Sequence, residues 1–159
     1  MESGRASRWA SNLLVLAVLA ADRLSKHWAR TWLAARGGLP VAPFFHLTYL
    51  ENTGAAFGVM RDSNGFFIIL AVALMGGLIV WRRRLPEEDK ISRAALSLIL
   101  AGAAGNLYDR LAYGHVVDFL DFLIWPVFNV ADSSISVGAC LLALGFWKEG
   151  RPANAPLGS

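Results

Sequence analysis

The 159-residue chain is 55% hydrophobic and only 17% charged, with a mean hydropathy of +0.45; ordinary soluble domains carry about a quarter charged residues, which excludes a soluble globular domain. The net charge of +3 and pI near 9.4 do not point to nucleic acid, because much of the excess lies in Arg82-Arg83-Arg84 at the end of an apolar run and no basic, aromatic-interleaved groove is present. One cysteine and three histidines without ligand spacing predict neither a disulfide nor a metal site, and Cys140, inside an apolar segment, reads as a small buried hydrophobe.

The elements predict an all-α polytopic membrane protein, one domain over residues 1–150, with four transmembrane helices and a small extracytoplasmic β element between the first two. The first span, residues 9–30, follows Arg5 and Arg8 and imitates a cleavable leader through Leu13–Ala21. Asp22, Arg23 and Lys26 are out of place in a disposable leader, and three more spans follow, so a retained helix is expected. After it, Pro40-Val41-Ala42-Pro43 precedes Phe44–Leu50, an aromatic and partly β-branched run that reads as a strand. Asn52-Thr53-Gly54 supplies a turn. The β element is expected over residues 40–60, lying on the membrane surface. Its small-residue end, Asn52 to Gly58, permits close approach by an extended peptide.

The remaining spans cover residues 64–82, 91–111 and 127–147, and residues 151–159 form a Pro/Gly/Ala-rich flexible tail. Tryptophans 9, 28, 32, 81, 125 and 147 all fall near span ends, where indole prefers to sit. Arg5, Arg8, Arg82, Arg83, Arg84, Lys90, Arg93, Lys148 and Arg151 fall on one side. This bias predicts that both termini are cytoplasmic. The polar motifs then face outward.

In the third span, Gly102, Gly105, Asn106 and Asp109 follow helical spacing and form one stripe. The glycines permit close helix packing. Asp109 and Arg110 are either an interfacial anchor pair or part of a site. Asn106 and Arg110 are placed to hold a polar ligand or an adjacent carboxylate. In the fourth span Asn129 and Asp132 share a face that Ser136 and Ala139 extend, which predicts an inward-looking stripe. Asp22 and Lys26 are one helical turn apart and can neutralise each other near lipid.

Asp118 and Asp132 are the candidates for chemistry. Carboxylates at the edge of a bilayer are costly and mark a pathway or a site. Two that converge cannot both ionise comfortably; they share a proton and can act as base and acid on one bond. A small proton-coupled transporter or lipid-binding membrane protein is the alternative. A proton relay, however, would spread ionisable groups through the bilayer, whereas Asp22, Asp109, Asp118 and Asp132 all map to the outer end.

Four motifs occur in order: Asn52-Thr53-Gly54-Ala55-Ala56-Phe57, Gly105-Asn106-Leu107-Tyr108-Asp109-Arg110, Val116-Val117-Asp118-Phe119 and Phe128-Asn129-Val130-Ala131-Asp132. With Asp22 and Lys26 before them, the chain resembles the bacterial lipoprotein signal peptidases, or signal peptidase II. The resemblance implies a metal-free and cofactor-free aspartic protease of the bacterial inner membrane. Its substrates would be prolipoproteins, cut before the diacylglyceryl-modified cysteine. It implies that Asp118 and Asp132 are catalytic and that Asn52, Gly54, Asn106, Asp109, Arg110, Asn129, Asp22 and Lys26 support them or the substrate. Membrane lipids and globomycin-type inhibitors are the further partners implied, with a monomeric enzyme. The family's lid helix would fall between the two aspartates. Here Leu120 to Pro126 leaves room for little more than one helical turn, so a reduced lid is expected.

Overall fold

The computed structural model describes residues 2–54 and 63–149, with side chains described for 9–54 and 63–147. Ala55, Ala56, Phe57 and Gly58 of the expected small-residue run, and the tail 151–159, lie outside the described residues. Four long helices form the frame: α1 (Glu2–Trp28), α2 (Asn64–Arg84), α3 (Lys90–Tyr113) and α4 (Val130–Glu149). A π turn at Ala29–Leu33 and a 3-10 turn at Ala34–Arg36 prolong α1. Two segments, Asn64–Arg84 and Val130–Trp147, are long and apolar enough to cross a membrane. The other two helices carry charged side chains on their inner faces. Large apolar side chains such as Leu16, Leu24, Ile69, Leu74, Leu111 and Leu144 are exposed on all four helices. A soluble monomer rarely exposes so much apolar surface.

Helix α3 packs against each of the other three. In lipid there is little hydrophobic drive between helices, so close backbone approach carries the association. Glycines make that approach possible along the α3–α4 seam. A Cβ added to Gly102 would overlap the Ala131 carbonyl and lie 2.8 Å from Ile135 Cγ1. One added to Gly138 would lie 2.7 Å from the Ala95 carbonyl. Gly102→Ala is therefore expected to cost about 1–3 kcal/mol, as overpacking does. Thermal unfolding in detergent measures it, and an unchanged midpoint would show that the seam can relax.

The inward stripe of α4 differs from the expected one. Ala131, Ser134 and Gly138 are buried against α3, while Ser136 and Ala139 are exposed. Cys140 is exposed as well, on the outer face of α4 rather than in a core. Small side chains suit a helix seam and a lipid-facing surface alike, so their size did not fix the direction they face.

A three-stranded antiparallel sheet caps one end, in the order β1 (Leu39–Ala42), β2 (Phe45–Asn52), β3 (Val116–Asp121). The second strand falls within the expected β element of residues 40–60, and the first begins one residue before it. The third lies outside it: it comes from the connection between α3 and α4, so the sheet is not confined to the loop after α1. Strand β3 hides its period because both of its faces are covered, and Val116, Val117, Asp118 and Phe119 are all buried. Val117 and Phe119 pack with Ala29 and Leu33, against Trp28, Trp32, Leu47 and Tyr49. Strand alternation turns Asp118 to the other face.

The connection from β3 to α4 contains no helix. Phe119 and Leu120 N–H groups both donate to the Phe128 carbonyl (2.9 and 2.8 Å), and Phe128 N–H donates to Leu120 O (3.0 Å). Between them, Leu123 adopts a left-handed φ of 64°. The Asp121 carboxylate holds this turn by accepting from Leu123 N–H (2.8 Å) and Thr48 Oγ1 (3.0 Å). The expected single helical turn is thus replaced by a strand-like hairpin, because Phe128 pairs back onto Leu120 and uses the backbone groups a helix would need.

Candidate active site

Asp118 sits on β3 where the register pairs it with Leu50, and Val116 with Asn52. Asn52 is therefore its diagonal neighbour on the same face. Asn52 Nδ2 donates to Asp118 Oδ2 (2.9 Å), and Asn52 Oδ1 accepts from Gly54 N–H (3.0 Å). Asn129 Nδ2 donates to the other oxygen, Asp118 Oδ1 (2.6 Å). Asp118 is 2% exposed. Burial, followed by the charge of Asp132, pushes its carboxyl from 3.8 up to about 7, against the opposing hydrogen bonds from Asn52 and Asn129 and the charge of Lys26.

Asp132 lies in the first turn of α4, and Asn129 immediately precedes the helix. The two form a reciprocal cap. Asp132 N–H donates to Asn129 Oδ1 (2.9 Å), while Asn129 N–H donates to Asp132 Oδ2 (3.3 Å). A carboxylate there also meets the positive end of the helix dipole. Asn106 Nδ2 donates to Asp132 Oδ1 (2.7 Å). Each of the four oxygens of the aspartate pair thus accepts one N–H bond.

The Asn106 amide is set by Lys26. Its Oδ1 accepts from Lys26 Nζ (2.8 Å) and from Asn129 Nδ2 (3.2 Å), which turns its NH₂ toward Asp132. Asp118 and Asp132 line one cavity of about 320 Å³ together with Asn52, Gly54, Asn106 and Arg110. Phe67, Trp125, Val127 and Phe128 supply its apolar wall. Arg110 Nη2 donates to Gly54 O (3.2 Å), with its guanidinium over the Phe67 ring. Such a cavity, with two electrostatically coupled carboxyls on one side and an apolar wall on the other, suits acid/base chemistry on a polar bond within an apolar chain.

Asp22, Lys26 and Asp109 do not line this cavity. They form a charge cluster behind it. Lys26, 1% exposed, lies 3.0 Å from Asp22 Oδ1 and 3.0 Å from Asp109 Oδ2. The alternative of an Asp109–Arg110 anchor pair does not hold: Asp109 pairs with Arg23 (2.7 Å), Lys26 and Arg30 (3.7 Å), while Arg110 turns to the cavity. Adjacent helical residues point about 100° apart, so the two side chains meet different neighbours. Asp22 Oδ1 also accepts from Ala131 N–H (3.1 Å), and Asp109 Oδ2 from Val117 N–H (3.4 Å). The cluster thereby ties α1 and α3 to the chain next to both cavity aspartates. Gly105 leaves room for it, since a Cβ there would lie 2.6 Å from Asp22 Oδ2.

Sequence reasoning missed Arg23 and Arg30 as members of the cluster. Arg23 beside Asp22 in an apolar helix was the available signal. Arg30 had none, because its partners Asp109 and the Tyr113 ring, 3.6 Å from its guanidinium, are distant in the chain. The apolar wall was missed too, since Phe67 and Phe128 read as ordinary span residues.

The family model for signal peptidase (SPase) II matches residues 14–148. The lipoprotein signal peptidase of Moorella thermoacetica is 47% identical over 143 residues, covering 89% of this chain and 93% of that protein. That of Pseudoalteromonas translucida is 42% identical, covering 89% and 87%. A solved structure of a bacterial membrane enzyme, obtained by the in meso method at 2.3 Å resolution, superposes with a TM-score of 0.85 at 30% identity, covering 94% of each chain. The chain belongs to the signal peptidase II family.

Proposed function

We propose that Asp118 and Asp132 are the catalytic pair with which this aspartic endopeptidase removes signal peptides from prolipoproteins, cutting before the diacylglyceryl-modified cysteine. The observation that carries this reading is that the Asp118 and Asp132 carboxyls line one cavity, where burial and the charge of Asp132 push the Asp118 carboxyl up to about 7. The ionised carboxylate takes a proton from water as the water oxygen attacks the scissile carbonyl carbon. The protonated carboxyl gives its proton to the carbonyl oxygen. Collapse of the tetrahedral intermediate breaks the C–N bond, and the leaving amine takes up a proton from the pair. Asn52, Asn106 and Asn129 hold the carboxyls in place. Gly54 and Arg110, which line the cavity, would meet the extended peptide, and Asp22, Lys26 and Asp109 support the frame.

In this reading all four helices span the bacterial inner membrane, with both termini cytoplasmic and the aspartates toward the outer face. Support comes from the exposed apolar side chains on every helix and from the arginine tract at the opposite end of α2. The family resemblance supports a monomer and globomycin-type inhibitors that enter the same cavity.

A pH profile tests the proton on the pair. The alkaline limb of kcat/KM is expected near pH 7, where Asp118 gives up its proton. Asn52→Ala removes a hydrogen bond that favours the ionised form, so it should move that limb upward. A limb that stays in place, or moves down, would contradict the assignment. Because the folded chain holds this proton longer than the unfolded chain, with its carboxyl near 3.8, stability should fall as pH rises from about 4 to about 7.

A further inference from the structure

At the end of the molecule opposite the aspartates, the last turn of α2 and the first turn of α3 border a second cavity of about 420 Å³. Its wall carries three guanidinium groups, Arg82, Arg83 and Arg93, and one carboxylate, Glu87, with Asn12, Ile79 and Leu85. Arg93 is 8% exposed. Its Nη1 donates to the Leu85 carbonyl (3.3 Å), while its Nε is enclosed without a hydrogen-bond partner among the described residues. Arg82 is held similarly: Nη2 donates to Asn12 Oδ1 (3.2 Å) and Nε is enclosed and unpartnered among the described residues. Among the described residues, the hydrogen-bond partners of both groups are neutral.

We propose that this cavity binds the phosphate of an anionic phospholipid in the cytoplasmic leaflet. The buried Arg93 and the half-buried Arg82, with neutral partners among the described residues, repel each other and each leaves an enclosed Nε–H unmet, which is costly away from water. A phosphate offers several acceptor oxygens and a compensating charge, and the planar guanidinium fork matches it. Basic pockets between membrane helices on the cytoplasmic side suit such headgroups. Ile79, the exposed Val80 beside it and the exposed Ile91 at the start of α3 offer apolar surface on which acyl chains can continue. Inorganic phosphate shares the headgroup chemistry but lacks the chains.

The membrane orientation proposed above underlies this inference, but the test does not depend on catalysis. The purified full chain in neutral detergent is titrated with phosphatidylglycerol or phosphatidylcholine and followed by native mass spectrometry, with a parallel arm in millimolar inorganic phosphate. Phosphatidylglycerol should be retained about tenfold better than phosphatidylcholine, and Arg93→Gln and Arg82→Gln should each reduce that retention about tenfold. Inorganic phosphate should not displace the lipid. Should Arg93→Gln fail to fold, the less buried Arg82→Gln carries the test. Equal retention of the two lipids, retention unchanged in the variants, or displacement by inorganic phosphate would each overturn the proposal. Cleavage is not the readout, so such a failure leaves the aspartate assignment standing.

Discussion

Replacing Asp132 with Asn lowers kcat for prolipoprotein cleavage by about 10²–10⁴-fold, the span expected when a general acid or base is lost; Asp118→Asn does the same. The amide keeps the size and much of the hydrogen bonding of the carboxyl. An Asn at 132 can still accept from Asn129 N–H, as Asp132 Oδ2 does at 3.3 Å. What it cannot do is exchange a proton with water or with the substrate carbonyl. Nor should the fold suffer. Asp118 and Asp132 are largely buried, and a neutral amide does not carry the desolvation cost of a carboxylate. Thermal unfolding of both variants in detergent should therefore stay close to that of the parent, the lower desolvation cost offsetting the one N–H donor that now faces the new NH₂ group. Together, intact unfolding and lost cleavage place the defect in chemistry. Substantial cleavage by either variant would remove the pair from the mechanism.

Lys26→Met is expected to destabilise the protein by about 3–5 kcal/mol, the cost of breaking a buried ion pair from one side. The Lys26 ammonium meets Asp22, Asp109 and Asn106 at 3.0, 3.0 and 2.8 Å, which uses its three donors. Without it, two fully buried carboxylates lose a shared counter-charge. The loss also reaches the aspartate cavity, because the Asn106 amide keeps only the 3.2 Å bond from Asn129 Nδ2 to orient it toward Asp132. The double variant Lys26→Met/Asp109→Asn removes one charge of each sign and should recover part of the stability. Equilibrium unfolding in detergent measures both. A single variant that loses less than about 1 kcal/mol would show that the cluster is hydrated rather than buried.

Much of the site was legible because polar side chains in an apolar chain stand out. Asp118, Asp132, Asn106 and Asn129 were each conspicuous for this reason, and helical spacing correctly grouped Asn129 with Asp132. Packing decided the rest. The sequence places Asp109 and Arg110 side by side, yet only the positions of α1 and the aspartate cavity send one to a charge cluster and the other to the cavity wall. Strand β3 was not legible as a strand because both of its faces are buried, which removes the polar alternation that marks one. Ser136 and Ala139 continue the spacing of Asn129 and Asp132, and Cys140 lies in an apolar segment, which reads as inward, yet all three are exposed. A lipid-facing surface tolerates small apolar residues as readily as a helix seam does, so only the neighbour can settle their direction.

The most direct measurement is mass analysis of products when the purified chain and its Asp118→Asn variant meet the same precursor, with and without its diacylglyceryl group. The expected result is a product from the parent alone, from the lipidated precursor, that begins at the modified cysteine. Cleavage of the unmodified precursor at a similar rate, or the same product from Asp118→Asn, would contradict a lipoprotein signal peptidase acting through Asp118 and Asp132.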